Sequence, residues 1–190
     1  AGTGEAIHLV DSVIDPSQVS KEEYLPLFKD AGDGSLRFKK EVTQAQVEKY
    51  NDEQLNRLFI RSKRYEGKGC LNAVDNVNNV LAKAFIGLKL SEIGSIEEID
   101  RKLLTSEVEI AVKRGQLRKN SDPLDVIEVM QRKGNIGMNA ILSQSLATAR
   151  LVANMQGKDL WEVVDETLRK TMAKTIATSK GEDWTQLYRT

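Results

Sequence analysis

The strongest helical pattern in the chain runs from Asn135 to Lys158. Met138, Leu142, Ser145, Ala149 and Ala153 recur along one helix face, and Ile141, Leu146 and Val152 widen the stripe. Most other positions are small (Ala140, Ser143, Ala147), so neighbours can approach from several sides. The pattern predicts the central helix of the domain, closed by Gly157, a residue that takes the left-handed conformation of a helix end at little cost. Behind it, Asp159 caps a last helix whose stripe is Leu160, Val164, Leu168, Met172 and Ile176.

Earlier segments repeat the logic. Val47, Tyr50, Leu55, Leu58 and Phe59 predict helix from Val42 to about Ser62, divided at Asn51-Asp52. Gly67 and Gly69 punctuate. A helix from Cys70 to about Phe85 follows, with Leu71, Val74, Val77 and Leu81 as its apolar stripe and Asn72, Asn76 and Asn79 on its other face. Ser95 and Glu98 form a capping box ahead of Ile96, Ile99, Leu103 and Leu104, and the charged residues 107–120 extend that helix. Asn120-Ser121-Asp122-Pro123 is a turn and restart, leading to a helix over 123–132 with Leu124, Ile127 and Met130.

The start of the chain reads differently. Ile7, Leu9 and Val13 alternate loosely with His8 and Asp11 over residues 5–14 and predict a short strand. Asp15-Pro16 marks a turn, and Ser20 with Glu23 forms a capping box for a short helix limited by Pro26. Leu36 and Phe38 predict a second short strand. The fold class is therefore mainly α, with at most a small β element near the N-terminus.

Composition narrows the function. The 190 residues suit one domain, and 40% hydrophobic residues can fill a core. Twenty-eight basic residues balance twenty-eight acidic ones, so no net field draws the chain to nucleic acid or anionic lipid. Aromatics at 5% are too sparse for a base-stacking surface. No apolar run approaches a membrane span, so membrane insertion is not expected. The single cysteine, Cys70, excludes an internal disulfide and fits an intracellular setting. The chain opens on Ala1 rather than methionine, as a processed or shortened polypeptide would.

Candidate chemistry is thin. His8, the sole histidine, and Cys70 are too few ligands for zinc. Gly67-Lys68-Gly69 lacks the spacing and the Ser/Thr of a phosphate-binding P-loop. Arg57, Arg61, Lys63 and Arg64 read as a solvated helix end, favoured there by the helix dipole. Trp184, Leu187 and Tyr188 are the apolar residues of a polar tail and a candidate interface, since aromatics anchor interfaces. No catalytic residue and no metal or cofactor site emerges from these residues.

Two segments carry a resemblance. Arg64-Tyr65-Glu66-Gly67-Lys68-Gly69-Cys70-Leu71-Asn72-Ala73-Val74-Asp75-Asn76-Val77-Asn78-Asn79 resembles the Tyr-x-Gly-Lys-Gly-Val start and Val-x-Asn-Val-Asn run of the enolase (phosphopyruvate hydratase) N-terminal domain. Asn135-Ile136-Gly137-Met138-Asn139-Ala140-Ile141-Leu142 with Ser145-Leu146-Ala147 is similar to that family's Leu-Gly-Ala-Asn-Ala-Ile-Leu-Gly-Val-Ser-Leu-Ala helix. Gly157-Lys158-Asp159-Leu160-Trp161 resembles its Gly-x-x-Leu-Tyr ending, and Ala1-Gly2-Thr3-Gly4-Glu5-Ala6 its Ala-Ser-Thr-Gly-x-x-Glu-Ala loop. The resemblance covers roughly half the chain. It implies an enolase-like helical core over 64–178, preceded by an extension over 1–63 and followed by a tail over 179–190.

The departures shape the functional expectation. The resemblance implies that the loop's serine helps hold the second magnesium. Here that position is Gly2, and two residues are missing before Glu5, leaving Gly2, Thr3, Gly4 and Glu5 as a degenerate loop remnant. The catalytic lysine, acid–base glutamates and metal carboxylates of the family lie in a barrel of about 250 residues, which has no counterpart after Lys158. The expected function is thus a non-catalytic, diverged enolase-like domain, a structural or interaction subunit of a larger protein assembly, intracellular in the cytoplasm or a cytoskeletal or ciliary structure. Its partners are other protein subunits, with no nucleic acid. The alternative is the lid portion of an enolase that dehydrates 2-phosphoglycerate with magnesium, its barrel supplied by a separate or removed segment.

Overall fold

The computed structural model describes residues 6–32 and 34–181. It is mainly helical with one small antiparallel sheet near the N-terminus, the class expected. The sheet joins Phe28–Gly32 (β1) to Ser35–Phe38 (β2), with Phe28 opposite Phe38 and Lys29 opposite Arg37. The strand expected over residues 5–14 is instead a 3₁₀ turn at Ile7–Leu9 and a lone bridge from Ile14 to Leu36. The partner of β2 is β1, whose Lys29, Asp30 and Gly32 break the alternation that marks a strand.

Around this hairpin gathers a first apolar cluster. Phe38 packs between Phe28, 4.3 Å away, and Phe59, 5.1 Å away and edge-on. Tyr24, Leu27 and Val47 are buried beside them. The 3₁₀ turn Glu22–Leu27 that carries Tyr24 and Leu27 starts from Lys21, so the capping box expected at Ser20 and Glu23 does not form. Pro26 inside the turn has no N–H for an α-helical bond.

Two helices complete this part, Gln44–Glu48 (α1) and Glu53–Lys63 (α2). They divide where the sequence indicated. Asn51 is left-handed at φ 49, and the Asp52 carboxylate caps α2 by accepting from Leu55 N at 3.0 Å. Tyr24 Oη donates to the same carboxylate at 2.7 Å. The Leu55 N–H first, then the Tyr24 hydroxyl, hold Asp52 below its ordinary pKa. A depressed carboxylate stabilises the fold above its unfolded pKa and stops doing so as pH falls through the folded value. Unfolding titrations should therefore show the protein losing more stability than its Asp52→Asn variant as pH drops below about 4.

The second part is helical: Leu71–Asn79 (α3), Ile96–Lys113 (α4), Pro123–Arg132 (α5), Met138–Met155 (α6) and Leu160–Lys180 (α7). The starts follow the sequence signals. Ser95 and Glu98 exchange cap bonds of 2.7 and 3.2 Å, Pro123 opens α5, and Asp159 boxes with Glu162. Gly157 at φ 66 closes α6 as expected. The helix expected to reach Phe85 ends sooner: Val80 caps it and a 3₁₀ turn spans Leu81–Ala84.

Helix α6 is central, packing against α3, α4 and α7. Its buried face keeps half of the predicted stripe, Ile141, Ala149, Val152 and Ala153. Ala140, Ile141, Thr148, Ala149, Val152 and Ala153 turn inward, while Met138, Leu142 and Leu146 are exposed. The alanine side admits neighbouring backbones more closely, and Ser145 Oγ reaches Asp100 of α4 at 2.6 Å. Around α3 half of the predicted stripe, Val77 and Leu81, turns inward, and Asn79 is exposed as expected. Leu71 and Val74 are exposed, and Ala73 and Val80 turn inward. Asn72 and Asn76 lie on that inner side, donating to the carbonyls of His8 and Ile136 at 3.0 and 2.7 Å.

Candidate functional site

The residues singled out in the sequence as a loop remnant (Gly2, Thr3, Gly4, Glu5) and as an interface (Trp184, Leu187, Tyr188) lie outside the described residues. The structure instead brings together three groupings that the sequence reading had not assembled.

The first is Asp11. Its carboxylate is fully buried and accepts from Leu71 N at 2.8 Å, at the start of α3. Arg61 Nε at 3.2 Å and Arg64 Nη1 at 3.4 Å complete its shell. Arg61 and Arg64 are thus partners of a buried acid rather than a solvated helix end. Of that run, Arg57 does pair on the surface, with Glu53, and Lys63 lies over the Phe59 ring at 5.0 Å. Gly69 is required beside this node, because a Cβ there would collide with the Asp11 carboxylate. Asp11 thereby ties α2, in the hairpin half, to α3, in the helical half.

The second is Glu107, also fully buried. It accepts from Asn135 N at 2.7 Å, Asn135 Nδ2 at 3.0 Å and Ile136 N at 2.8 Å. Two turns on, Arg114 Nη1 donates to Asn135 O at 3.0 Å and lies 3.3 Å from His8 Nε2. Helix α4 thus holds the segment that launches α6. His8 is drawn into this packing through its carbonyl and ring rather than placed at a reactive centre. The signal for Glu107 was present: it falls on the stripe Ile99, Leu103, Ala111, where a charge must find buried partners.

The third grouping is the outer face of α7. The helix turns Val163, Ala173 and Ala177 toward the domain. Its stripe of Trp161, Val164, Leu168, Met172 and Ile176 faces away, with Trp161 66% and Leu168 55% exposed. The sequence marked Val164, Leu168, Met172 and Ile176, with Leu160 where the exposed face has Trp161, but as a helix's packing face that stripe would be buried. The small Ala173 and Ala177 side chains occupy that role instead, which frees the large ones. Together the five expose on the order of 500 Å² of apolar surface, at the upper end of what a monomer carries without functional cause. The flanking charges are polarised: Glu162, Asp165 and Glu166 precede Arg169, Lys170 and Lys174. Lys158 donates to Glu166 at 2.6 Å, which holds that carboxylate below its ordinary pKa.

No protein-family model and no solved structure matches the chain. Among the described residues no cluster of three or more His, Cys, Asp or Glu is placed to hold a metal ion. Among them, too, no helix is long and apolar enough to cross a membrane.

Proposed function

We propose that this chain is a non-catalytic, enolase-like structural domain that works as an interaction subunit of a larger protein assembly. The observation that carries the reading is the outward apolar stripe of α7. Apolar surface of this extent is stabilised by leaving water, and a protein partner is the means. The occupant that fits is an amphipathic helix of a neighbouring subunit, laid antiparallel to α7. Helices place acids early and bases late in response to their own dipole, so an antiparallel partner meets each half of α7 with opposite charge. Two such faces together bury about 1,000 Å², the lower bound for a specific interface.

The enolase likeness rests on the sequence segments named above. Gly2 in place of a ligating serine supports a domain that has left the family's chemistry. The test is turnover: the purified chain with magnesium and 2-phosphoglycerate should release no phosphoenolpyruvate. A rate in the ordinary enzyme range, about 1–10³ per second, would overturn the reading. Turnover that arises only when a barrel polypeptide co-purifies would establish the alternative, a lid portion acting on a partner's magnesium site.

A further inference from the structure

Between the hairpin and the turn after α2 lies a cleft of about 460 Å³, within the range of small-ligand sites. Its wall carries Lys29, Arg37, Lys40, Lys63 and Lys68 against one carboxylate, Glu66. In a chain whose charges balance overall, that is a concentrated positive field. Among the described residues no carboxylate lies within ion-pair distance of Lys29, Arg37, Lys40 or Lys63. The contrast with the other side of the same turn is direct, because there Arg61 and Arg64 are matched by the buried Asp11.

Three further observations single the cleft out. The Nε of Arg37 is buried and has no hydrogen-bond partner among the described residues, an arrangement rare in folded proteins and one that a bound ion or water can explain. Lys29 and Arg37 sit directly opposite in the hairpin register, where like charges repel. The turn bordering the cleft holds two consecutive non-glycine residues left-handed, Tyr65 at φ 49 and Glu66 at φ 57, before Gly67 at φ 82. Such strain gathers at binding sites. Gly67 packs so closely that an added Cβ would come 3.3 Å from Ser12 Cβ.

We propose that this cleft binds a phosphate dianion. Arg37 supplies the planar donor fork that matches phosphate oxygens, and Lys29, Lys40 and Lys63 supply the surrounding charge. The volume fits the phosphate of a small metabolite or of one phosphorylated side chain.

The test is amide NMR of the full chain at constant ionic strength and about pH 8, where the phosphate groups are largely doubly charged. Inorganic phosphate, pyrophosphate and a short phosphoserine peptide are titrated separately. Saturable shifts confined to residues 12, 29, 37–40 and 62–68 are expected. The Lys40→Gln/Lys63→Gln variant, which changes two exposed side chains, should weaken the binding at least tenfold. Arg37→Lys keeps the charge, loses the fork and should weaken it too. Binding at least tenfold tighter for the peptide assigns the site to a phosphorylated protein segment, and binding no tighter assigns it to a free anion. Non-saturating shifts spread over all surface lysines, or an unchanged affinity in the double variant, would overturn the proposal.

Discussion

Replacing Glu107 with alanine should destabilise the protein by about 3–5 kcal/mol, read as a lower urea midpoint at unchanged slope. The buried carboxylate satisfies three donors, two of them backbone N–H groups at Asn135 and Ile136. Both residues are themselves buried, so water cannot take over. Each stranded N–H costs roughly 1–3 kcal/mol, and the vacated space adds a cavity term. Glu107→Gln is the informative companion. Its amide oxygen still accepts, but its NH₂ faces a donor, so its loss should be smaller, about 1–3 kcal/mol. A Glu107→Gln variant as stable as the parent would mean that shape rather than hydrogen bonding makes this position matter. The consequence reaches function, because the segment held by Glu107 launches α6, and α6 carries α7.

Substituting Leu168 and Met172 together with glutamate should separate folding from assembly. Both are more than half exposed, so stability should stay within about 0.5 kcal/mol of the parent. Association with the partner subunit should fall steeply. Truncating a hot-spot side chain at the centre of a protein interface costs about 2 kcal/mol or more, and two buried carboxylates add a desolvation cost on top. A loss of a hundredfold or more in affinity is therefore expected, measured by sedimentation of the assembly with the variant. If the variant assembles normally, α7 is not the docking face.

What the sequence disclosed follows from the range of each interaction. Helix starts depend on residues three apart, so Ser95 with Glu98 and Asp159 with Glu162 were readable, as was the Gly157 stop. Pro123 likewise marked α5 to the residue. Facing was not readable in the same way. A stripe of large apolar residues on α7 signals a helix, yet Ala173 and Ala177 on the other side make the closer packing, so the stripe points outward. In α3 Asn72 and Asn76 turned inward because the carbonyls of His8 and Ile136, about 60 residues away in sequence, accept their bonds, while Asn79 stays exposed as expected. The Asp11 node joins positions separated by 50 to 60 residues, which no local pattern encodes. Glu107 left a local signal, a charge on an apolar stripe, but counted in the sequence only as one of the charged residues 107–120. The hairpin was half legible: Leu36 and Phe38 marked β2, while Lys29 and Asp30 disguised β1.

The account stands on α7 as a covered surface in the working assembly. Backbone hydrogen exchange, compared between the assembled and the isolated chain, addresses this directly. The account predicts added protection over residues 161–176, with the rest of the chain changed little. Exchange over 161–176 that is identical in the two states would contradict it.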